Sequence, residues 1–118
     1  MKENILADKS FEFALRVIKM YKHLRDFKNE YVISKQLLRS GTSVGANICE
    51  SEHSESKQDF IHKLSISQKE INETLYWIRL LHKSDYLTDS EFKSIFSDAQ
   101  ELIKLLTSSI KTAKSSLK

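Results

Sequence analysis

The sequence contains no proline, two glycines and one cysteine in 118 residues. Proline and glycine punctuate strands, hairpins and irregular loops, so their scarcity leaves few sharp turns and argues for a few long helices. The single cysteine, Cys49, excludes an intrachain disulfide and a cysteine-rich zinc site; it fits a reducing compartment and reads as a small buried residue. No window approaches the ~18 apolar residues of a membrane span, and the opening MKENILADKS has no apolar segment of the secretory kind. The expectation is a soluble, cytoplasmic protein of one domain (1–118) without membrane association. P-loop, dinucleotide fingerprint, Ser-His-Asp order and activated cysteine are all lacking, so neither an enzyme nor a cofactor is expected.

What is there is helical periodicity. Phe13, Val17, Met20, Leu24 and Phe27 recur at steps of four and three, predicting a helix over about 10–28 with Ser10 as its N-cap. Ile33, Leu37, Val44 and Ile48 mark a second over about 31–52. Phe60, Ile61, Leu64, Ile71, Leu75, Ile78 and Leu81 mark a third over about 56–83, about 42 Å long at 1.5 Å per residue. The run Thr88, Asp89, Ser90, Glu91 is a capping box opening a fourth over about 89–114. Short connections between long helices make neighbours antiparallel, so the predicted fold is all-α, an up-down-up-down four-helix bundle. The wide apolar stripes of helices 1 and 4 leave surface for a partner subunit.

Gly41 and Gly45, four residues apart on helix 2, form a device for close helix packing, which offsets a helix-propensity cost of about 1 kcal/mol each. Folding helix 3 back on helix 2 brings residues whose numbers sum to about 110 to one height. Arg39 then pairs with Glu70 or Glu73, and Glu50, near Asn47, with Lys63, which makes a polar network that sets the register. Glu50 with His53 and Asp59 with His62 have Glu/Asp-x-x-His spacing, but a carboxylate-bridged metal pair needs further inward carboxylates; no metal site is assigned, and a carboxylate-metal enzyme is the remote alternative. Tyr76 and Trp77 read as core or interface anchors, against the alternative of base-stacking platforms.

Nineteen basic and sixteen acidic residues give a net charge of +3. Arg16, Lys19, Lys22, Arg25 and Lys28 spread over helix 1 away from the Phe13 stripe, and Lys104, Lys111, Lys114 and Lys118 follow Glu101 without an intervening acid. Repeated around an oligomer, such patches would bind phosphate backbones of RNA or DNA; the other reading is that they only solvate exposed faces. A third use of the same surfaces is to bind another protein, such as a nucleic-acid enzyme.

LLRSGTSVGANICE (Leu37 to Glu50), SKQDFIHKL (Ser56 to Leu64) and KEINETLYWIRLL (Lys69 to Leu81) together resemble the bacterial four-helix bundle proteins encoded in 23S rRNA intervening sequences. The resemblance implies a bundle that assembles as a ring-shaped homopentamer, with no enzymatic activity and a nucleic-acid connection. It also implies similarity in fold to the accessory variability proteins of retroelements, which bind a reverse transcriptase and nucleic acid.

Overall fold

The computed structural model describes residues 4–117. Among them are four α-helices and no strand: α1 (Ile5–Phe27), α2 (Ile33–Ser51), α3 (Lys57–Lys83) and α4 (Asp89–Ser115). Met1, within the opening segment read above, and Lys118, the last of the C-terminal lysines, lie outside the described residues. Each helix packs on the next and α4 returns to α1. The cross-contacts fix the directions. Gly41 faces Val17 and Gly45 faces Ser10; Arg39 meets Glu70 while Lys63 meets Glu50; His82 meets Asp89 while Gln68 meets Thr107; and Lys9 meets Glu101 while His23 meets Glu91. Every neighbouring pair is therefore antiparallel, and the whole is an up-down-up-down four-helix bundle with extents of 49 × 25 × 21 Å.

One apolar stripe per helix builds the core. Phe13, Val17 and Leu24 of α1 meet Leu37, Val44 and Ile48 of α2, Leu64, Ile71 and Ile78 of α3, and Ile95, Leu102 and Leu106 of α4, all essentially removed from solvent. Burying each such side chain contributes about 1.5–3 kcal/mol. Polar groups that enter this core have hydrogen-bond partners, and two such bonds cross between helices. Ser67 Oγ donates to the Val44 carbonyl at 2.7 Å and Thr74 Oγ1 donates to Ser40 Oγ at 2.9 Å, both between α2 and α3. Among the described residues no buried side-chain nitrogen or oxygen lacks a partner, as the cost of an unmade buried hydrogen bond demands.

The helix ends depart from the pattern read in the sequence. α1 starts one and a half turns before Ser10, because Asn4 Oδ1 accepts the Ala7 N–H at 3.0 Å and is the actual cap. Ser10 instead lies buried inside the helix, its hydroxyl donating to the Ala7 carbonyl. α1 stops when the Leu24 carbonyl accepts from both Lys28 and Glu30 and Asn29 turns left-handed at φ 53°. Phe27, the last member of the apolar stripe read above, therefore lies at the very end of the helix and is 77% exposed.

α2 opens at Ile33 because Glu30 takes over the free donors of its first turn. The Glu30 carboxylate accepts from Val32, Ile33 and Ser34 N–H, and Ser34 Oγ donates back to the Glu30 carbonyl at 2.8 Å. Burial alone would push this carboxyl up, but the backbone N–H groups of Ser34, Ile33 and Val32 outweigh it and hold the group below the usual carboxylate range. The capping box of α4 is formed, with Thr88 Oγ1 accepting from Glu91 N–H and Thr88 N–H donating to the Glu91 carboxylate. On α4 the extra apolar residues are used inside the bundle: Phe92 and Ile103 pack against the core. The apolar surplus predicted for both helices thus stands out on α1, at Phe11 and Leu15.

Two stability predictions follow from these contacts. A Cβ at Gly41 would lie 2.8 Å from both methyl carbons of fully buried Val17, whereas at Gly45 the nearest atom, the Ser10 carbonyl oxygen, is 3.3 Å away. Overpacking costs about 1–3 kcal/mol against a helix-propensity gain of about 1. Gly41→Ala therefore lowers the urea midpoint clearly and more than Gly45→Ala does, and Gly41→Leu prevents folding; an unchanged midpoint for Gly41→Ala would refute the close approach. Glu30→Gln costs about 1 kcal/mol near neutral pH, as loss of a charged cap does. Because the folded-state carboxyl titrates below the unfolded value of 4.5, its contribution is complete above that pH and disappears as pH falls through the folded value. The stability gap between wild type and Glu30→Gln should close on acidification, and a gap that stays constant would count against the cap.

Candidate functional site

The residues singled out in the sequence fall into separate places. Arg39 on α2 donates to Glu70 at 3.3 Å and also bonds Glu73, whose carboxylate accepts the Trp77 indole N–H at 3.0 Å. Lys63 reaches Glu50 only at the long distance of 3.5 Å. Asn47 does not join this seam, because its amide donates back along α2 to the Ser43 carbonyl. The seam is largely exposed, so its ion pairs contribute about 0–1 kcal/mol each and serve register more than stability. Gly41 and Gly45 lie on the other side of α2, against α1. Cys49, expected to be buried, is exposed, because one turn beyond Gly45 it continues the line that faces outward beside α1.

The helix 1 cations do not form one patch. Arg16 turns onto α4, where it bonds Asp98 and donates to Ser94 Oγ at 2.8 Å. Arg25 is held by its neighbour Asp26 at 2.7 Å and lies over the Tyr21 ring. Lys19, Lys22 and Lys28 are exposed, but Asp8, Glu12 and Asp26 share the same solvent side. Glu50, His53, Asp59 and His62 do not converge either: among the described residues no three metal-ligating side chains come together.

A continuous basic surface is instead built by α3 and α4. On α3, Lys69, Asn72, Tyr76, Arg79 and Lys83 follow one another at steps of three, four, three and four, and every one is exposed. That spacing lays them along one side of the helix. The acids of α3 lie elsewhere, Glu70 and Glu73 toward Arg39 of α2 and Asp59 at the first turn. On α4, Lys93, Ser97, Gln100, Lys104, Thr107, Lys111 and Lys114 form a second such row, again exposed throughout. Here Asp98 and Glu101 point to Arg16 and Lys9 of α1. The packing of α1 against α4 therefore draws Asp98 and Glu101 away and leaves the outer rows basic, with exposed Asp89, one turn before Lys93 and held by His82, at one end. Lys104, Lys111 and Lys114 were visible in the sequence as an acid-free stretch. Lys69, Arg79, Lys83 and Lys93 were not: Glu70 and Glu91 stand close to Lys69 and Lys93 in sequence, and only the helix phase directs these two acids to Arg39 and His23.

At one end of this face a pocket of about 260 Å³ opens between the helices, lined by Tyr76, Arg79, Leu80, His82, Lys83 and Phe92. His82 stacks on Phe92 at 4.1 Å with the rings nearly parallel, and its Nε2 lies 2.7 Å from the Asp89 carboxylate. The His82 contact holds the Asp89 carboxyl below its ordinary range.

The opposite side of the bundle has a different chemistry. Between α1 and α2 runs an open groove of about 500 Å³, walled by Phe11, Ala14 and Ile18 on one side and by Thr42, Ala46 and Cys49 on the other, with Ser10 and Gly45 among its lining. Phe11 is 66% exposed and Leu15 53%. Among the described residues no helix is long and apolar enough to cross a membrane.

The family described as 23S rRNA-intervening sequence protein matches residues 2–108. Among solved structures, the chain is similar to a protein with unknown function from the S23 ribosomal protein family of Bacteroides thetaiotaomicron, with 51% identity over 91% of this chain and 99% of that one, and a TM-score of 0.90. No curated protein matches the sequence.

Proposed function

Starting from the fact that this chain belongs to the 23S rRNA-intervening sequence protein family, we propose that it is a non-enzymatic assembly protein that holds nucleic acid on its α3–α4 face and meets copies of itself through its α1–α2 face. The observation that carries the first half is the pair of exposed rows containing Lys69, Arg79 and Lys83 on α3 and Lys93, Lys104 and Lys111 on α4. None of these six cations is ion-paired among the described residues. Unpaired cations in a row neutralise successive phosphates and release counterions, so binding of this kind is independent of sequence and falls steeply with salt. A net charge of only +3 is enough because Asp98 and Glu101 are drawn to α1 and Glu70 and Glu73 to α2.

The second half rests on the groove. Small side chains at Ala14, Gly45 and Ala46 beside the exposed Phe11 and Leu15 offer another copy both a recess and an apolar ridge. A ring, and a pentamer in particular, requires a head-to-tail contact, in which this face meets a different surface of the next copy. Each added copy repeats the basic rows, and linked sites bind a polyanion far more tightly than one alone. The same groove also favours a second reading, an adaptor that seats an amphipathic helix of another protein there.

Light scattering decides between the two uses of the groove: the proposal expects a mass of several chains that Phe11→Asp reduces to that of one chain, with helix content unchanged. A wild-type chain that stays monomeric at high concentration leaves the adaptor reading. For the basic face, Lys93→Ser/Lys104→Ser/Lys111→Ser should reduce the slope of log affinity against log salt by about 2–3, the loss of about three phosphate contacts. An unchanged slope would remove nucleic acid from this face.

A further inference from the structure

The pocket at the end of the α3–α4 face has a chemistry that a row of lysines alone does not need. Phosphate binding calls only for exposed cations, yet here the basic row of α3 is interrupted by an aromatic ring, Tyr76, 54% exposed. Behind it lies a cavity whose other walls are mostly carbon: Leu80, and Phe92 carrying the stacked His82. The wall is held in place. His82 is pinned between the Phe92 ring and the Asp89 carboxylate, and Phe92 in turn contacts Phe96 at 5.1 Å. Tyr76 is braced by an edge contact to Trp77 at 5.0 Å. The rim carries two cations one turn apart, Arg79 and Lys83, continuous with the lysine rows.

We infer that this pocket receives an unpaired base of a single-stranded nucleic acid whose phosphates lie along the α3–α4 lysines. At about 260 Å³ it lies just below the range of ~300–1,000 Å³ typical of drug-sized ligand sites, which suits one planar ring. An apolar pocket with aromatic residues in its wall takes any base by its π-face, while a guanidinium and an ammonium at the mouth meet the flanking phosphates. A base paired within a duplex cannot enter, so the pocket adds affinity for single strands only. Its position at the end of the rows lets one strand use both the slot and the lysines. This assignment rests on the backbone-binding reading of the same face and adds to it the kind of strand that is bound.

The test uses the full chain and four fluorescent probes at low salt: oligouridylate, oligothymidylate, an abasic strand of equal length, and a duplex. Tyr76 is exposed, so Tyr76→Ala keeps the fold, which circular dichroism verifies. The inference expects Tyr76→Ala to weaken binding of both base-bearing single strands at least five-fold, the lower end for one stacked base, and to leave the abasic strand and duplex unchanged. Loss on both strands supports the pocket, and the tighter of the two wild-type affinities identifies RNA or DNA as the source. Equal loss, or no loss, on all four probes overturns the base pocket while leaving the backbone reading intact, provided Lys104→Ser/Lys111→Ser still weakens all four. Wild-type protein that binds no probe overturns both readings. Displacement of the single strands by polyglutamate at equal charge concentration, abolished by Tyr76→Ala, would assign the pocket to an acidic polypeptide and likewise overturn the inference.

Discussion

How closely α1 can lie against α2 sets the rest of this bundle. A side chain at Gly41 would strike both methyl groups of Val17, and Gly45 sits against the backbone of Ser10. The two helices approach because α2 gives up side chains where they meet, in exchange for helix propensity of about 1 kcal/mol per glycine. The approach brings Phe13 and Val17 into the core beside Val44 and Ile48. It also fixes the phase of α1, and through Arg16 and Lys9 the phase of α1 decides which way the acids of α4 point.

The surface chemistry follows from that phase. Asp98 and Glu101 are drawn to α1, and Glu70 and Glu73 to Arg39 of α2. The pairs themselves contribute little to stability, but they sort charge, concentrating unpaired cations on the outward rows of α3 and α4. On the far side the small residues that allow the close approach continue outward as Ala46 and Cys49, so the α1–α2 surface is shallow and apolar. One structural device thus accounts for two faces of opposite character, one basic and the other apolar.

Much of the architecture is legible in the sequence because amphipathic period and caps are local signals. The capping box at Thr88 and Glu91 and the long period of α3 need no tertiary information, and antiparallel counting brings Arg39 to the height of Glu70 and Glu73. Failures arise where a decision depends on a distant contact. Ser10 has the chemistry of an N-cap, but Asn4 occupies that place and Gly45 makes room for Ser10 inside the bundle. Glu30 looks like an ordinary turn acid until its carboxylate is seen collecting three backbone donors. The basic face was only half visible, because acids adjacent in sequence to Lys69 and Lys93 hide a separation that helix phase creates. Arg16 and Arg25, prominent in a count of charges, are engaged by Asp98 and Asp26.

The central claim is that the two sides of one bundle have separate roles, with polyanions on α3–α4 and another protein surface on α1–α2. Lysine acetylation footprinting tests it directly, since the lysines of both sides react independently and can be read together by mass spectrometry. With saturating single-stranded RNA, the account predicts that Lys69, Lys83, Lys93, Lys104 and Lys111 lose reactivity while Lys19, Lys22 and Lys35 keep theirs. Protection of Lys19 and Lys22 with continued reactivity of Lys93, Lys104 and Lys111 would contradict it.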